Sequence, residues 1–557
     1  MSAPSGAAGP KTILIGLDAM TFDFLDPWLE TGKLPNLASL AKGGARGTLE
    51  SCWLPLSPPA WTNITTGRTP GSHGIFNFST LVDDTYEIRS IDARSIRGPR
   101  LWDLANRHGL RTGAFNVPVT WPPRPVDGYM VSGFLTPDIE GTFTYPEPLG
   151  AELHALVGGY RTWTSQVFTP THPLPYLREL RDLVRMRMQA FEHLMKERPA
   201  DFVMVVFMEA DWLQHKVWHA LEDPAQRDTE LFQAAWDVYA ALDEAVGRIM
   251  ELGGPDCNYV VISDHGAGLH DRAMHINKWL YDEGFLAMKR TWRLRVKRFL
   301  ERRKFLLRGY RILSWLRGRM PWLGRLVPNS LAHRAIDFIA SYDDVDWSCT
   351  RAYGRDALGQ IYVNLKGREP CGIVEEGKPY ERVLAELEER LAALPDPRTG
   401  RPVVTEMRRG REAYPGPMAR EAPDLLVCLD GFRCNTSVRF GFDTDGYFGG
   451  AEFCDSGAHR RNGILMARGP AIAAGAAVQG ARVEDVTPTV LHLLGLPVPD
   501  DLDGRVLAEM LAPAFRQAHP VQREGASPAD AAPSQDDGLS EPEREELHTR
   551  LRDLGYL

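Results

Sequence analysis

The sequence predicts an α/β fold built on a doubly wound, mostly parallel sheet with helices on both faces. Two observations predict it. Short apolar runs recur, each leading into acidic residues: Thr12–Leu17 before Asp18, Phe202–Met208 before Glu209 and Asp211, and Tyr259–Ser263 before Asp264. Stretches of helical periodicity intervene, at Leu177–Glu197 and Asp228–Leu252. Continuous apolar runs alternating with helices are the pattern of buried parallel strands and their crossovers. Ligands of such sheets sit at the carboxyl ends of the strands, which places Asp18, Asp211 and Asp264 along one edge, the expected site edge.

Taken in order, the chain opens with "MSAPSGAAGPKTILIGLDAM", whose apolar run ILIGL ends on Asp18. It is too short for the apolar core of a signal peptide and reads as a buried strand. No run approaches the ~18 apolar residues of a spanning helix, so a cytoplasmic protein is expected. Next comes "PLSPPAWTNITTGRTPGSHGIFNF", residues 55–78, which sets Ser57 beside two prolines just ahead of a helix-like stretch. Ser57 is there either a helix cap or a nucleophile. Residues 288–328 hold fourteen Lys or Arg and one acid, Glu301, interleaved with Trp292, Phe299, Trp315 and Trp322. The pattern suits a basic amphipathic insertion, residues 288–339, able to lie on an anionic membrane at the inner face, or a helical cap with a solvated basic face. Residues 512–538, rich in Pro, Ala, Ser and Asp, read as a linker. Residues 539–557 read as a C-terminal docking helix, with Leu547, Leu551 and Leu554 on one face and a Ser540/Glu543 capping box. The catalytic core is then residues 1–287 and 340–511.

Composition narrows the function. At 557 residues, 43% hydrophobic and 25% charged, the chain is globular throughout its main part. A net charge of -9 gives no case for nucleic-acid binding. Seven cysteines, scattered and without C-x-x-C spacing, argue for reduced thiols rather than disulfides or a cysteine zinc site.

Carboxylates and histidines carry the chemistry. Asp211 and His215 are spaced D-x₃-H, which puts both on one helix face. Asp264-His265 follows a strand, His459 lies in "SGAHRRNGILMARGP", and Asp18 ends the first strand. A lone histidine is ordinarily a hydrogen-bonded core or surface residue, but three Asp and three His, each after an apolar run, form a set suited to two divalent cations. Zn²⁺ fits such donors, with Mn²⁺ the alternative.

These residues stand in motifs that resemble the type I phosphodiesterase/nucleotide pyrophosphatase branch of the alkaline phosphatase superfamily. The motifs are "ILIGLDAM" (13–20), "SPPAWTNITTGRTPGSHGIFNF" (57–78), "MEADWLQH" (208–215), "VISDHGAG" (261–268), "SGAHRRNGILMARGP" (456–470) and "VEDVTPTVLHLLGLPVPDDLDGRVL" (483–507). The resemblance spans roughly 12–287 and 340–511 and implies an alkaline-phosphatase-like fold and a phosphate-ester substrate. It implies that Ser57 is the nucleophile at a helix start and passes through a phosphoserine. It further implies one metal on Asp211, His215 and His459, and a second on Asp18, Asp264, His265 and the Ser57 oxygen. Backbone amides after Ser57 would add donors for the phosphate.

Two departures matter. Eukaryotic-type nucleotide pyrophosphatases carry Asn three residues after the nucleophile, where this chain has Ala60, so Asn63 or a backbone group would have to hold the phosphate. Ser57-Pro58-Pro59-Ala60-Trp61 nearly matches the sulfatase S-x-P-x-R motif, but Trp61 replaces its arginine. His275 and Arg460 are further candidates for substrate contact, Arg460 as a bidentate phosphate donor. The same core serves phosphomonoesterases and lipid-headgroup phosphodiesterases, and an inactive metal-bound scaffold is the reading from another class. Oligomeric state is not legible.

Overall fold

The computed structural model describes residues 9, 11–82, 84–137, 143–302, 340–355, 358–450, 455–527, 544, 547 and 549. Eleven strands matter for the site: β1 (Thr12–Leu17), β2 (Ala45–Glu50), β3 (Thr112–Val117), β4 (Gly128–Ser132), β5 (Thr144–Tyr145), β6 (Phe202–Phe207), β7 (Asn258–Ile262), β8 (Gly266–Leu269), β9 (Gly457–Arg460), β10 (Asn462–Arg468) and β11 (Ala477–Arg482). The helices that matter are α1 (Ser57–Thr66), α2 (Leu174–Glu197), α3 (Glu209–Glu222), α4 (Glu230–Gly253) and α5 (Trp292–Arg302).

Nine strands form the main sheet in the order β11-β2-β10-β7-β1-β6-β3-β4-β5. Pairings through β7, β1, β6, β3 and β4 are all parallel, and β2 pairs parallel with β11. Only β10 and β5 run antiparallel to their neighbours. The three central strands lie within a residue or two of the expected apolar runs. Every residue of β1, β6 and β7 is buried, as a central strand covered on both faces requires.

Strand alternation in β1 settles which helix covers which face. Ile13 faces α4: its Cδ1 lies 2.9 Å from where a Cβ on Gly253 would stand. Gly16 faces α1, where a Cβ would stand 2.3 Å from Cη2 of Trp61. Helices therefore lie on both faces, and Asp18, in register with Gly16, points toward α1.

A second sheet forms a separate hydrophobic cluster from Arg272–His275 and strands between Ala352 and Gly450, with Trp279, Tyr353, Ile361 and Leu387 in its core. Part of the expected linker is ordered. Residues 513–527 are not a free linker: Pro513–Ala518 is helical, Arg523–Glu524 pairs with Val498–Pro499, and the Ser527 N–H donates to Asp501 Oδ1 (3.0 Å). The basic segment is helical over Trp292–Arg302, while 303–339 lies outside the described residues. Of the expected docking helix only Arg544, Leu547 and Thr549 are described, and Leu547 is buried in the main core.

Candidate active site

β1, β6 and β7 end side by side, and the residues just past their carboxyl ends converge. Asp18 follows β1, α3 starts two residues after β6 and carries Asp211 and His215, and Asp264-His265 follows β7. The antiparallel ribbon of β8 and β9 brings His459 opposite Ala267. Two groups result, Asp211/His215/His459 and Asp18/Asp264/His265, all buried, with the ligand atoms of each group within 4.8 Å of one another. The His265 and His459 rings stack at 3.8 Å between centroids and join the groups.

In the first group Asp211 Oδ1 stands 3.4 Å from both His215 Nε2 and His459 Nε2, which are 2.9 Å from each other. His215 Nδ1 lies 3.1 Å from the Gly457 carbonyl and His459 Nδ1 2.6 Å from that of Pro55. A carbonyl accepts only, so each neutral ring carries its proton on Nδ1 and turns an Nε2 lone pair into the centre. Two lone pairs and a carboxylate facing one another repel unless a cation lies between them. Backbone carbonyls orienting ring nitrogens in this way is the usual outer support of metal-ligating histidines.

The second group repeats the pattern. His265 Nδ1 donates to the Gly266 carbonyl (3.0 Å), leaving Nε2 as acceptor. Around that atom stand Ser57 Oγ (3.1 Å), Asp264 Oδ2 (3.3 Å) and Asp18 Oδ1 (3.7 Å). Both carboxylate oxygens are buried with no hydrogen-bond donor. Unpaired buried carboxylates cost several kcal/mol each, so this set of oxygen and nitrogen donors fits a divalent cation. Burial, then the neighbouring carboxylates, raises Asp18 and Asp264 well above the ordinary range. Burial works on Asp211 in the same sense, but His215 and His459 outweigh it and hold that carboxyl low.

Ser57 is no cap. It is the first residue of α1, Leu56 occupies the capping position, and no side chain caps the helix. Its hydroxyl is buried against His265 instead. Pro58 and Pro59 have no N–H, and the Ala60 N–H already donates to Leu56 O (3.0 Å). The expected run of backbone donors after Ser57 is therefore absent, which leaves the N–H of Ser57 itself.

Three candidates lie elsewhere. The Asn63 carboxamide sits 2.7 Å from His73 Nε2 and 2.8 Å from the Pro59 carbonyl, holding α1 to the short helix Pro70–His73 that follows it. His275 belongs to the second sheet, where its ring packs on Gly441 and Gly449. Arg460, next to His459 in β9, points to the other side of the ribbon and donates to the Phe432 and Leu269 carbonyls. There it lines a cavity of about 650 Å³ with Trp28, Trp218 and Phe432, on the face of the ribbon away from His459.

Sequence reasoning missed Trp61, whose Nε1–H donates to Asp18 Oδ2 (2.7 Å). It also missed the buried pair of Lys216 Nζ and Asp455 Oδ1 (2.5 Å), whose other oxygen lies 3.8 Å from His215 Nδ1. Lys216 directly follows a candidate ligand, a signal that could have been used; nothing marks Asp455.

The sequence pattern of the type I phosphodiesterase / nucleotide pyrophosphatase family matches residues 12–433, and the chain belongs to that family. It is accordingly a hydrolase acting on phosphoric ester bonds, in a family that depends on metal. The match ends before His459, so the sixth member of the two groups rests on geometry. No curated protein sequence matches. Among solved structures, an inactive variant of murine ectonucleotide pyrophosphatase/phosphodiesterase 5 in complex with AMP is 13% identical, with 90% of this chain and 100% of that one covered at a TM-score of 0.49. Phosphonoacetate hydrolase from Sinorhizobium meliloti 1021, with phosphonoformate, is 16% identical, with 86% and 95% covered and a TM-score of 0.49.

Proposed function

We propose that the chain is a two-metal phosphohydrolase that cleaves phosphodiester or pyrophosphate bonds through a phosphoserine on Ser57. Asp211, His215 and His459 would hold one cation; Asp18, Asp264, His265 and the Ser57 oxygen would hold the other, with Zn²⁺ the preferred ion and Mn²⁺ the second choice. One observation carries the reading: Ser57 Oγ, two donorless carboxylate oxygens and one imidazole lone pair meet in a buried space. When bound, the cations lower the pKa of a serine hydroxyl and offset charge on phosphoryl oxygens.

In the first step the Ser57 hydroxyl releases its proton to solvent and Oγ forms a bond to phosphorus while the bond to the leaving oxygen breaks in line. The leaving oxygen departs on a phosphate, or takes a proton from solvent and departs as an alcohol. Water then attacks phosphorus and gives up a proton, the Oγ–P bond breaks, Oγ regains a proton, and a phosphate monoester leaves. His265 has one lone pair, at Nε2, so it serves either as base for Ser57 or as ligand. The two donorless carboxylate oxygens beside that atom favour the ligand role. Nothing at the start of α1 reads a nucleotide: position 60 is Ala, Asn63 is held by His73, and two prolines remove N–H groups. The reading therefore stops at phosphoric diesters and pyrophosphates.

The test is hydrolysis of bis-p-nitrophenyl phosphate and p-nitrophenyl phosphate by wild type and Ser57→Ala, with Zn²⁺ or Mn²⁺ added. The diester should be the faster substrate, and Ser57→Ala should lose at least about 10³-fold in kcat. A faster monoester makes the protein a phosphomonoesterase on the same core. A Ser57→Ala enzyme that keeps its rate removes the phosphoserine route.

A further inference from the structure

Six large hydrophobic side chains are exposed among the described residues, and three of them share one helix: Trp292 (71%), Val296 (41%) and Phe299 (56%), all on α5. Their spacing of four and three residues sets them in one narrow stripe. On one flank of the stripe lies Arg293 and on the other Arg295 and Arg302, all exposed. The opposite side of the helix is tied to the protein. Leu294 is buried, Glu301 Oε1 accepts from the Ala340 N–H (2.8 Å), Lys297 Nζ reaches Asp344 Oδ2 (2.8 Å), and the Arg298 guanidinium lies 4.3 Å over the Phe442 ring. Residues 288–302 contain seven Lys or Arg, and the one acid, Glu301, is buried on the inner side. On the helix itself the outer face presents apolar and aromatic surface bordered by Arg293, Arg295 and Arg302.

We propose that α5 docks the protein on an anionic lipid bilayer surface, with Trp292, Val296 and Phe299 entering the headgroup region and Arg293, Arg295 and Arg302 meeting the headgroup charges. Charge selects this occupant. An apolar stripe with cationic borders matches a surface that is negative across its face and apolar beneath it. An interfacial tryptophan suits the headgroup level, where its ring is amphipathic. The inner contacts fix the helix, so its outer face needs no ordering when it meets the membrane.

The full chain is mixed with vesicles of phosphatidylcholine alone or of phosphatidylcholine with phosphatidylserine, and bound protein is measured by sedimentation. Binding is expected to the serine-containing vesicles only, and to fade at molar salt, where the screening length falls to about 3 Å. Neutralising two flanking charges, Arg293→Gln with Arg295→Gln, should weaken partitioning about 30-fold. Trp292→Ser with Val296→Ser should weaken it by more than about tenfold, with the thermal midpoint and the hydrolysis of a small soluble diester unchanged. The proposal is overturned if wild type binds neither vesicle, or if both double variants bind as wild type does. It is equally overturned if the substitutions leave vesicle binding intact but dissociate an oligomer, which would make this face a contact between copies.

Discussion

Trp61 shows how one side chain connects fold to site. Its indole fills the space that a Cβ on Gly16 would need, and its N–H holds Asp18 Oδ2, which fixes where Oδ1 points. Gly16→Ala should therefore displace the ring, at a cost of about 1–3 kcal/mol from overpacking, and misplace Asp18 as well. Trp61→Phe should keep most of the packing but free the carboxylate. Urea unfolding together with metal titration of activity separates the two. We expect Gly16→Ala to lower the unfolding midpoint, and Trp61→Phe to raise the metal concentration needed for half-maximal rate by about 10–100-fold with a smaller change in midpoint. If Trp61→Phe leaves the metal dependence unchanged, the indole is packing alone. At this scale the sequence is only half legible. Hydrophobic runs ending in acids disclose Asp18, Asp211 and Asp264. They do not disclose that Arg460 would point away from its neighbour His459, or that His73 would take Asn63, because sidedness depends on the register of strands far apart in the chain.

Among the elements, α2 and α3 are joined by a buried pair, Arg187 and Glu209, both fully enclosed, with Glu209 two residues before Asp211. Arg187 also donates to the Thr162 carbonyl (2.9 Å). Removing one partner of such a pair costs about 3–5 kcal/mol, because the other charge is left uncompensated. The two deletions should differ. Burial raises Glu209 above its usual range even with Arg187 beside it, so without Arg187 the carboxyl can take a proton and become neutral. A guanidinium cannot lose one. Glu209→Leu should therefore destabilise more than Arg187→Met, and the Arg187→Met deficit should shrink as pH falls toward 5. Equal losses for both at every pH, measured by denaturant unfolding, would mean the pair is not coupled as described. Elements also show where legibility ends. β1, β6 and β7 carry their own signal because they are buried on both faces. The second sheet joins Arg272–His275 to short strands between Ala352 and Gly450, and its core exists only after that distant pairing, so no local pattern announces it. Residues 513–527 look like a linker by composition, yet they order because Arg523–Glu524 finds Val498–Pro499.

For the whole molecule, stability and pH are linked through histidines kept neutral in the interior. Burial is the main cause in each case, lowering His73 from 6.5 to about 3, and His270 and His275 to about 4. A depressed pKa means that the unfolded chain binds these protons first. The stabilisation is complete above pH 6.5 and is lost as pH falls through the window toward 4. Each group contributes a slope of up to about 1.4 kcal/mol per pH unit. Together these three groups contribute a fall of about 4 kcal/mol per unit near pH 5, and the raised carboxyls of Asp18, Asp264, Glu209 and Glu301 oppose it, because the folded state takes up those protons first. His215 is shifted the other way, and the candidate ligands would bind cations in competition with protons, so the measurement belongs in chelator, where metal linkage is silent. Urea unfolding between pH 7 and pH 5 should then show His73→Gln losing less stability than wild type, by about 1.4 kcal/mol per pH unit near pH 5, whatever its effect on the stability at pH 7. An unchanged slope in that variant would mean His73 is protonated in the folded state, which the Ile75 N–H donating to its Nδ1 (3.0 Å) and the Asn63 carboxamide at its Nε2 would then have to accommodate. Adding Zn²⁺ back should raise the thermal midpoint at pH 7 much more than at pH 5, because deprotonated histidines and carboxylates are what a cation requires.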